Sequence, residues 1–122
     1  MIVHITTKED WKRAQSNRKY IASSLDNVGF IHCSTVRQVV DTANLFFKGQ
    51  KELILLCIDE NRLKSELKYE DPTGGKKHAP NVGNLFPHVY GPINLDAVKK
   101  IVEFPSNESG YFTLPIELEK EM

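Results

Sequence analysis

The chain opens on an alternation of apolar and polar positions. Val3 and Ile5 fall on one side, with Ile2, His4 and Thr6 on the other, which predicts a strand over 2–6. Thr7 is placed to cap a helix over 8–15, with Glu9 and Asp10 in its first turn and Trp11 and Ala14 facing inward. A short strand over 20–22 and a loop over 23–27 follow. The stretch GFIHCST then reads as one strand, with Phe30, His32 and Ser34 on one face and Ile31 and Cys33 on the other. It runs into a helix opening at Ser34 and Thr35, where Thr35 and Gln38 have the spacing of a capping box. Val36, Val39, Val40, Ala43 and Phe47 make that helix's apolar stripe, and Gly49 is placed to end it.

LILLCI, 53–58, is apolar at every position and predicts an interior strand covered on both faces. Asp59 caps a short helix through 63–67, and 68–70 reads as another short strand. Residues 71–87 show no periodicity, and a mobile loop, or a lid, is expected there. In FPHVY, His88 and Tyr90 point one way and Val89 the other. Asn94 caps a turn of helix over 95–98, and 100–104 is a strand ended by Pro105. Tyr111 to Pro115 would cover a sheet edge, and the acidic end would be solvated. Short strands with two or three helices, not in regular alternation, indicate a small α+β fold over residues 1–122 as one domain.

Composition narrows the function classes more than it names one. Lys+Arg and Asp+Glu balance at 16 each, which argues against binding to nucleic acid through net charge. No apolar run is long enough to cross a bilayer and no signal peptide is visible, so no membrane partner and a cytoplasmic location are expected. In that compartment Cys33 and Cys57 are expected as free buried thiols.

The candidate chemistry is carried by histidines. His78 sits in the lysine-rich loop and reads as a surface residue, whereas His4, His32 and His88 each lie in a strand-like stretch flanked by apolar residues. An imidazole titrates near neutrality, with an unperturbed pKa of about 6.5, and serves as acid, base or hydrogen-bond partner. His4-Ile5-Thr6 and His32-Cys33-Ser34 are both H-x-[ST], which on a strand places imidazole and hydroxyl on one face. Two such pairs are what a two-histidine phosphodiesterase uses. The helix start beside His32 adds free N–H groups that attract anions, phosphates included. Three histidines, with Glu70 or Asp59, are also zinc-ligand types, but no H-x-x-x-H or C-x-x-C pair supports a metal, and none is expected. Gly74-Gly75-Lys76-Lys77 lacks the surroundings of a phosphate-binding loop.

The series IVHIT, GFIHCST, QVVDTANLFFKG, LILLCID, LKYE and FPHVYGPI resembles, over nearly the whole chain, the family catalogued as domain of unknown function 952. That resemblance implies an ADP-ribosyltransferase-like fold, a split, curved sheet that holds a nicotinamide dinucleotide in its cleft and is shared with RNA 2′-phosphotransferases. His4 would be its first-strand histidine, and His32, Ser34 and Thr35 its second motif. In such chemistry a histidine holds a ribose hydroxyl, an aromatic ring stacks on nicotinamide and a carboxylate steadies the ribosyl cation. Within the resembling stretches the chain departs from the pattern in having no Glu-x-Glu pair, which leaves Glu70, or His88 in that corner, for the carboxylate's part. Arg37 alone stands near a motif where 2′-phosphate transfer calls for an arginine set.

The expected site is therefore a pocket with His4, His32, His88 and Glu70 as catalytic groups and Thr6, Ser34, Thr35, Tyr69 and Tyr90 as ligand-binding groups. Its expected partner is a small nucleotide-type molecule, with NAD as substrate rather than cofactor and an RNA end as the one nucleic-acid substrate. The alternatives are a nucleotide-binding or sensing module without turnover, and a two-histidine phosphodiesterase.

Overall fold

A computed structural model describes residues 1–72 and 85–122. Most of the loop expected over 71–87, with His78, thus lies outside the described residues, and Phe86 and Pro87 at its end belong to a strand.

β1 (Ile2–Thr7) leads directly into α1 (Lys8–Asn17), whose first turn is capped by the Thr7 hydroxyl accepting the Asp10 N–H at 3.0 Å. β2 is only Lys19–Tyr20. The expected loop over 23–27 is instead a short helix, α2 (Ser23–Val28). Gly29 ends it at φ +89°, its N–H bonded to the Leu25 carbonyl, a conformation that costs glycine little.

The strand expected to run unbroken to Ser34 is split. β3 (Ile31–His32) and β4 (Ser34–Thr35) join different sheets, and the chain crosses between them at Cys33. Because β4 pairs with β1, with Val3 opposite Ser34 and Ile2 opposite Thr35, α3 (Val39–Phe46) starts a turn later than its capping spacing predicts. Gln38 still reaches back, its Oε1 accepting the Thr35 N–H at 2.9 Å, while its Nε2 donates to the Leu85 carbonyl at 2.7 Å. The helix ends at Phe46, ahead of Gly49.

β5 (Leu53–Ile58) is buried at all six positions. Asp59 caps a 3₁₀ turn over Glu60–Arg62 rather than a helix through 63–67, most of which is taken by β6 (Glu66–Glu70) or the approach to it. β7 (Phe86–Tyr90), β8 (Ile93–Asn94), a 3₁₀ turn (Leu95–Ala97) and β9 (Val98–Glu103) follow. A last 3₁₀ segment, Ile116–Glu121, buries Leu118 completely, so the acidic end is anchored rather than wholly solvated.

Among the described residues the strands form three antiparallel sheets, ordered β4-β1-β5-β9, β2-β8 and β3-β7-β6. The four-stranded sheet is covered on both faces, and its alternation sorts residues between two cores. Val3, Ile5, Leu53, Leu55, Cys57 and Val102 pack against Val39 and Ala43 of α3 and against Phe112 and Leu118 of the tail. Phe104 and Phe112 stack there at 4.8 Å between ring centroids. Ile2, Ile54, Leu56 and Ile58 face the other way, onto Ala14, Tyr20, Ile31, Val89 and Ile93. The result is a small α+β single domain, and no described helix is long and apolar enough to cross a membrane. Cys33 and Cys57 are buried free thiols.

Candidate functional site

The register of the three-stranded sheet decides which side chains meet. His32 stands opposite His88, and His88 opposite Lys68; Tyr90 stands opposite Glu66, and Phe86 opposite Glu70. Directly paired residues share a face, so Phe30, His32, His88, Tyr90, Glu66, Lys68 and Glu70 lie together. Ile31 and Val89, one residue out of phase, face the four-stranded sheet and its core. The candidate site is the side of the sheet turned away from that core.

Its centre is Glu70. One carboxylate oxygen, Oε1, accepts the Nδ1–H of His88 at 2.9 Å and the hydroxyl of Tyr90 at 2.5 Å. Burial, the largest influence on this carboxyl, pushes its pKa up, but the bonds from Tyr90 and His88 outweigh it and hold the group below the ordinary range. The same bond, followed by burial, raises the Tyr90 phenol to about 12, so it stays protonated and donating at neutral pH. His88 is completely buried, and no described group lies within hydrogen-bonding reach of its Nε2, which is sealed from solvent.

Aromatic rings frame the pair. Phe30 stacks on His88 at 4.0 Å between centroids and meets His32 edge-on at 4.8 Å. The His32 ring stands perpendicular to that of His88 at 5.5 Å and is exposed. Burial and the neighbouring His88 both lower the His32 pKa, favouring its neutral form. The Lys68 ammonium lies 5.0 Å from the centroid of the Tyr90 ring.

His4 and Thr6 are placed elsewhere. They project from β1 into the layer between the sheets, where the His4 Nδ1–H donates to the His32 backbone carbonyl at 2.6 Å and Nε2 meets the Tyr20 hydroxyl at 2.8 Å. Tyr20 in turn meets the Thr6 hydroxyl at 2.9 Å. Burial lowers the His4 pKa to about 4, against the raising effect of the His32 carbonyl, so the ring is neutral. The structure thus brings His32 and His88 together, while His4 reaches them only through backbone.

The remaining expected groups divide in the same way. Tyr90 and Glu70 belong to the cluster. Tyr69 alternates to the opposite face of β6 and donates to Glu60 at 2.7 Å. Ser34 and Thr35 sit in the four-stranded sheet, so the H-x-[ST] spacing at His32 does not place ring and hydroxyl on one face. The Thr35 N–H, expected to be free for an anion, is taken by Gln38. Phe30 and Lys68 join the cluster without having been singled out as site residues; the alternation of Phe30 with His32, and of Lys68 with Glu70, was the signal for both. A groove of about 320 Å³ opens at a distance from these rings, between α1, β2 and α2.

Solved structures share the overall fold. The crystal structure of protein CC0527 from Caulobacter crescentus is similar at 30% identity over 93% of each chain, with a TM-score of 0.76. The solution NMR structure of CC0527 is similar at 26% identity, covering 99% of this chain and 95% of that one, with a TM-score of 0.74. No curated protein matches. A family model described as "Protein of unknown function (DUF952)" matches residues 5–101, and the chain belongs to that family.

Proposed function

We propose that the chain is an enzyme acting on a nucleotide-type small molecule at the face carrying His32, His88, Glu70 and Tyr90. One observation carries this reading: Glu70 Oε1 receives both the His88 Nδ1–H and the Tyr90 hydroxyl, with a second imidazole 5.5 Å away. A carboxylate on Nδ1 fixes the His88 ring, whose Nε2 is enclosed, so the imidazole open to a substrate is that of His32. His32, exposed and favoured in its neutral form, is the ring placed to accept a proton from a bound hydroxyl. The half-buried Tyr90 ring supplies flat apolar surface of the kind on which a base or nicotinamide stacks, backed by the buried Phe30. NAD, ADP-ribose and a 2′-phosphorylated RNA end are the substrates this reading admits, NAD being consumed rather than resident. An ADP-ribosyltransferase-like arrangement is part of the proposal, supported by strands divided between separate antiparallel sheets. A cytoplasmic setting accords with two thiols left unpaired.

A second reading, a nucleotide-binding or sensing module without turnover, is favoured by the complete burial of His88. The phosphodiesterase reading loses its paired H-x-[ST] motifs and would have to run through His32 and His88 instead.

Incubating the protein with NAD, ADP-ribose, 2′-phosphorylated RNA and a 2′,3′-cyclic nucleotide, with chromatography of the products, separates these readings. The enzyme reading expects turnover of at least one compound, reduced about 10²-fold or more by His32→Ala or Glu70→Gln in protein that remains folded. Saturable binding with no turnover would select the sensing module. Neither binding nor turnover with any of the four would overturn both.

A further inference from the structure

The shortest of the hydrogen bonds that join the inter-sheet layer to the site ends on a backbone atom. β3 is two residues long, and its ladder to β7 holds only Ile31 opposite Val89 and His32 opposite His88. The His32 carbonyl accepts its hydrogen bond from His4, a side chain of the four-stranded sheet, at 2.6 Å.

The direction of every bond in this chain follows from elementary bookkeeping. A carbonyl oxygen only accepts, so His4 Nδ1 carries a proton. A neutral imidazole has one N–H, so Nε2 accepts and the Tyr20 hydroxyl must donate to it. That uses the only hydrogen on Tyr20, so the Thr6 hydroxyl donates to Tyr20. Thr6 is 5% exposed, His4 8% and Tyr20 3%, so water competes little for any of these bonds.

We propose that Thr6, Tyr20 and His4 are positioning residues for the candidate site: the chain they form fixes the His32 backbone and so holds the His32 ring against His88 and Phe30. Its relevance to function rests on the reading of that face as a ligand site, but the geometry and its test do not. Three elements contribute, β1 with Thr6 and His4, β2 with Tyr20 and β3 with His32, so the inter-sheet layer sets the shape of the outer face. The titratable neighbours felt along this chain are Asp10 on α1, Cys33 after β3 and His32 itself.

The test uses imidazole NMR on the whole protein without ligand. In the native protein His4 should show a single Nδ1–H tautomer, its proton slow to exchange and coupled across the hydrogen bond to the His32 carbonyl. Absence of that tautomer overturns the proposal without any variant. In Tyr20→Phe, and to a smaller extent in Thr6→Val, the midpoint of His32 should rise towards its ordinary value, as the ring leaves its packed position. The His32–His88 ring contacts should weaken with it. A folded Tyr20→Phe protein with an unchanged His32 midpoint and unchanged ring contacts contradicts the positioning role, whatever its loss of stability. If only Thr6→Val folds, the same two readouts decide. Ligand binding enters neither arm, so failure here leaves the proposed function standing, and the reverse is equally true.

Discussion

The Nδ1–H of His4 and the backbone carbonyl of His32 meet at 2.6 Å, and through that bond the central sheet reaches the edge strand that carries the site. Two histidines of similar local sequence thereby take different parts. One is spent between the sheets on structure, and the other keeps an exposed ring beside His88.

A buried neutral histidine makes the fold sensitive to acid. Unfolded His4 takes up a proton near 6.5 and folded His4 near 4. Between those values the unfolded chain binds more protons, so stability rises with pH across the window and falls as the solution is acidified. Urea unfolding measured from pH 7 to pH 4 should show a loss of ~3 kcal/mol attributable to this group. In His4→Gln, although the protein starts less stable, that part of the slope should be gone.

Glu70→Gln should release Tyr90. The carboxylate is the first cause of the raised phenol pKa, about 12, so its removal should bring the Tyr90 midpoint back towards 10. Ultraviolet or NMR titration of the tyrosines checks this. Tyr20, held high by burial away from the site, should not move with it.

The tail is part of the core. Leu118 is fully buried against the same face of the sheet as Phe104 and Phe112. Leu118→Ala should cost roughly 2–5 kcal/mol in chemical denaturation. Ile116→Ala, two residues away at a side chain 78% exposed, should stay within about 0.5 kcal/mol of the native protein.

Gly29→Ala isolates a backbone effect. A methyl group there would meet nothing within 4 Å, yet φ is +89°. The substitution should therefore cost about 1–2 kcal/mol through the left-handed conformation alone. A denaturation midpoint close to that of the native protein would show that the α2 end can rearrange.

What the sequence made legible was local. Thr7 with its acidic first turn marked α1, six apolar residues marked β5, and the alternation in FPHVY put Val89 in the core and His88 with Tyr90 on the other face. Sheet membership was not legible, because it depends on partners distant in sequence. Nothing within GFIHCST says that the chain changes sheets at Cys33, so the local pattern sets Ser34 beside His32 and starts the helix too early. The Thr35–Gln38 spacing did signal a contact, but Gln38 uses it to bridge Thr35 to Leu85. Gly29 could have marked α2, being a helix-ending residue after SSLDNV. In the site, the His32–His88 pairing needed the register of two strands. The interior fate of His4 needed Tyr20, whose two-residue strand carries almost no pattern.

The most direct measurement is a titration of ¹⁵N-labelled protein with NAD, ADP-ribose and 2′-phosphorylated RNA, following each imidazole separately. The account predicts that at least one of these shifts the His32 and His88 resonances saturably while His4 keeps its Nδ1–H tautomer. Resonances of His32 and His88 that stay fixed with all three, or a response confined to His4, would contradict it.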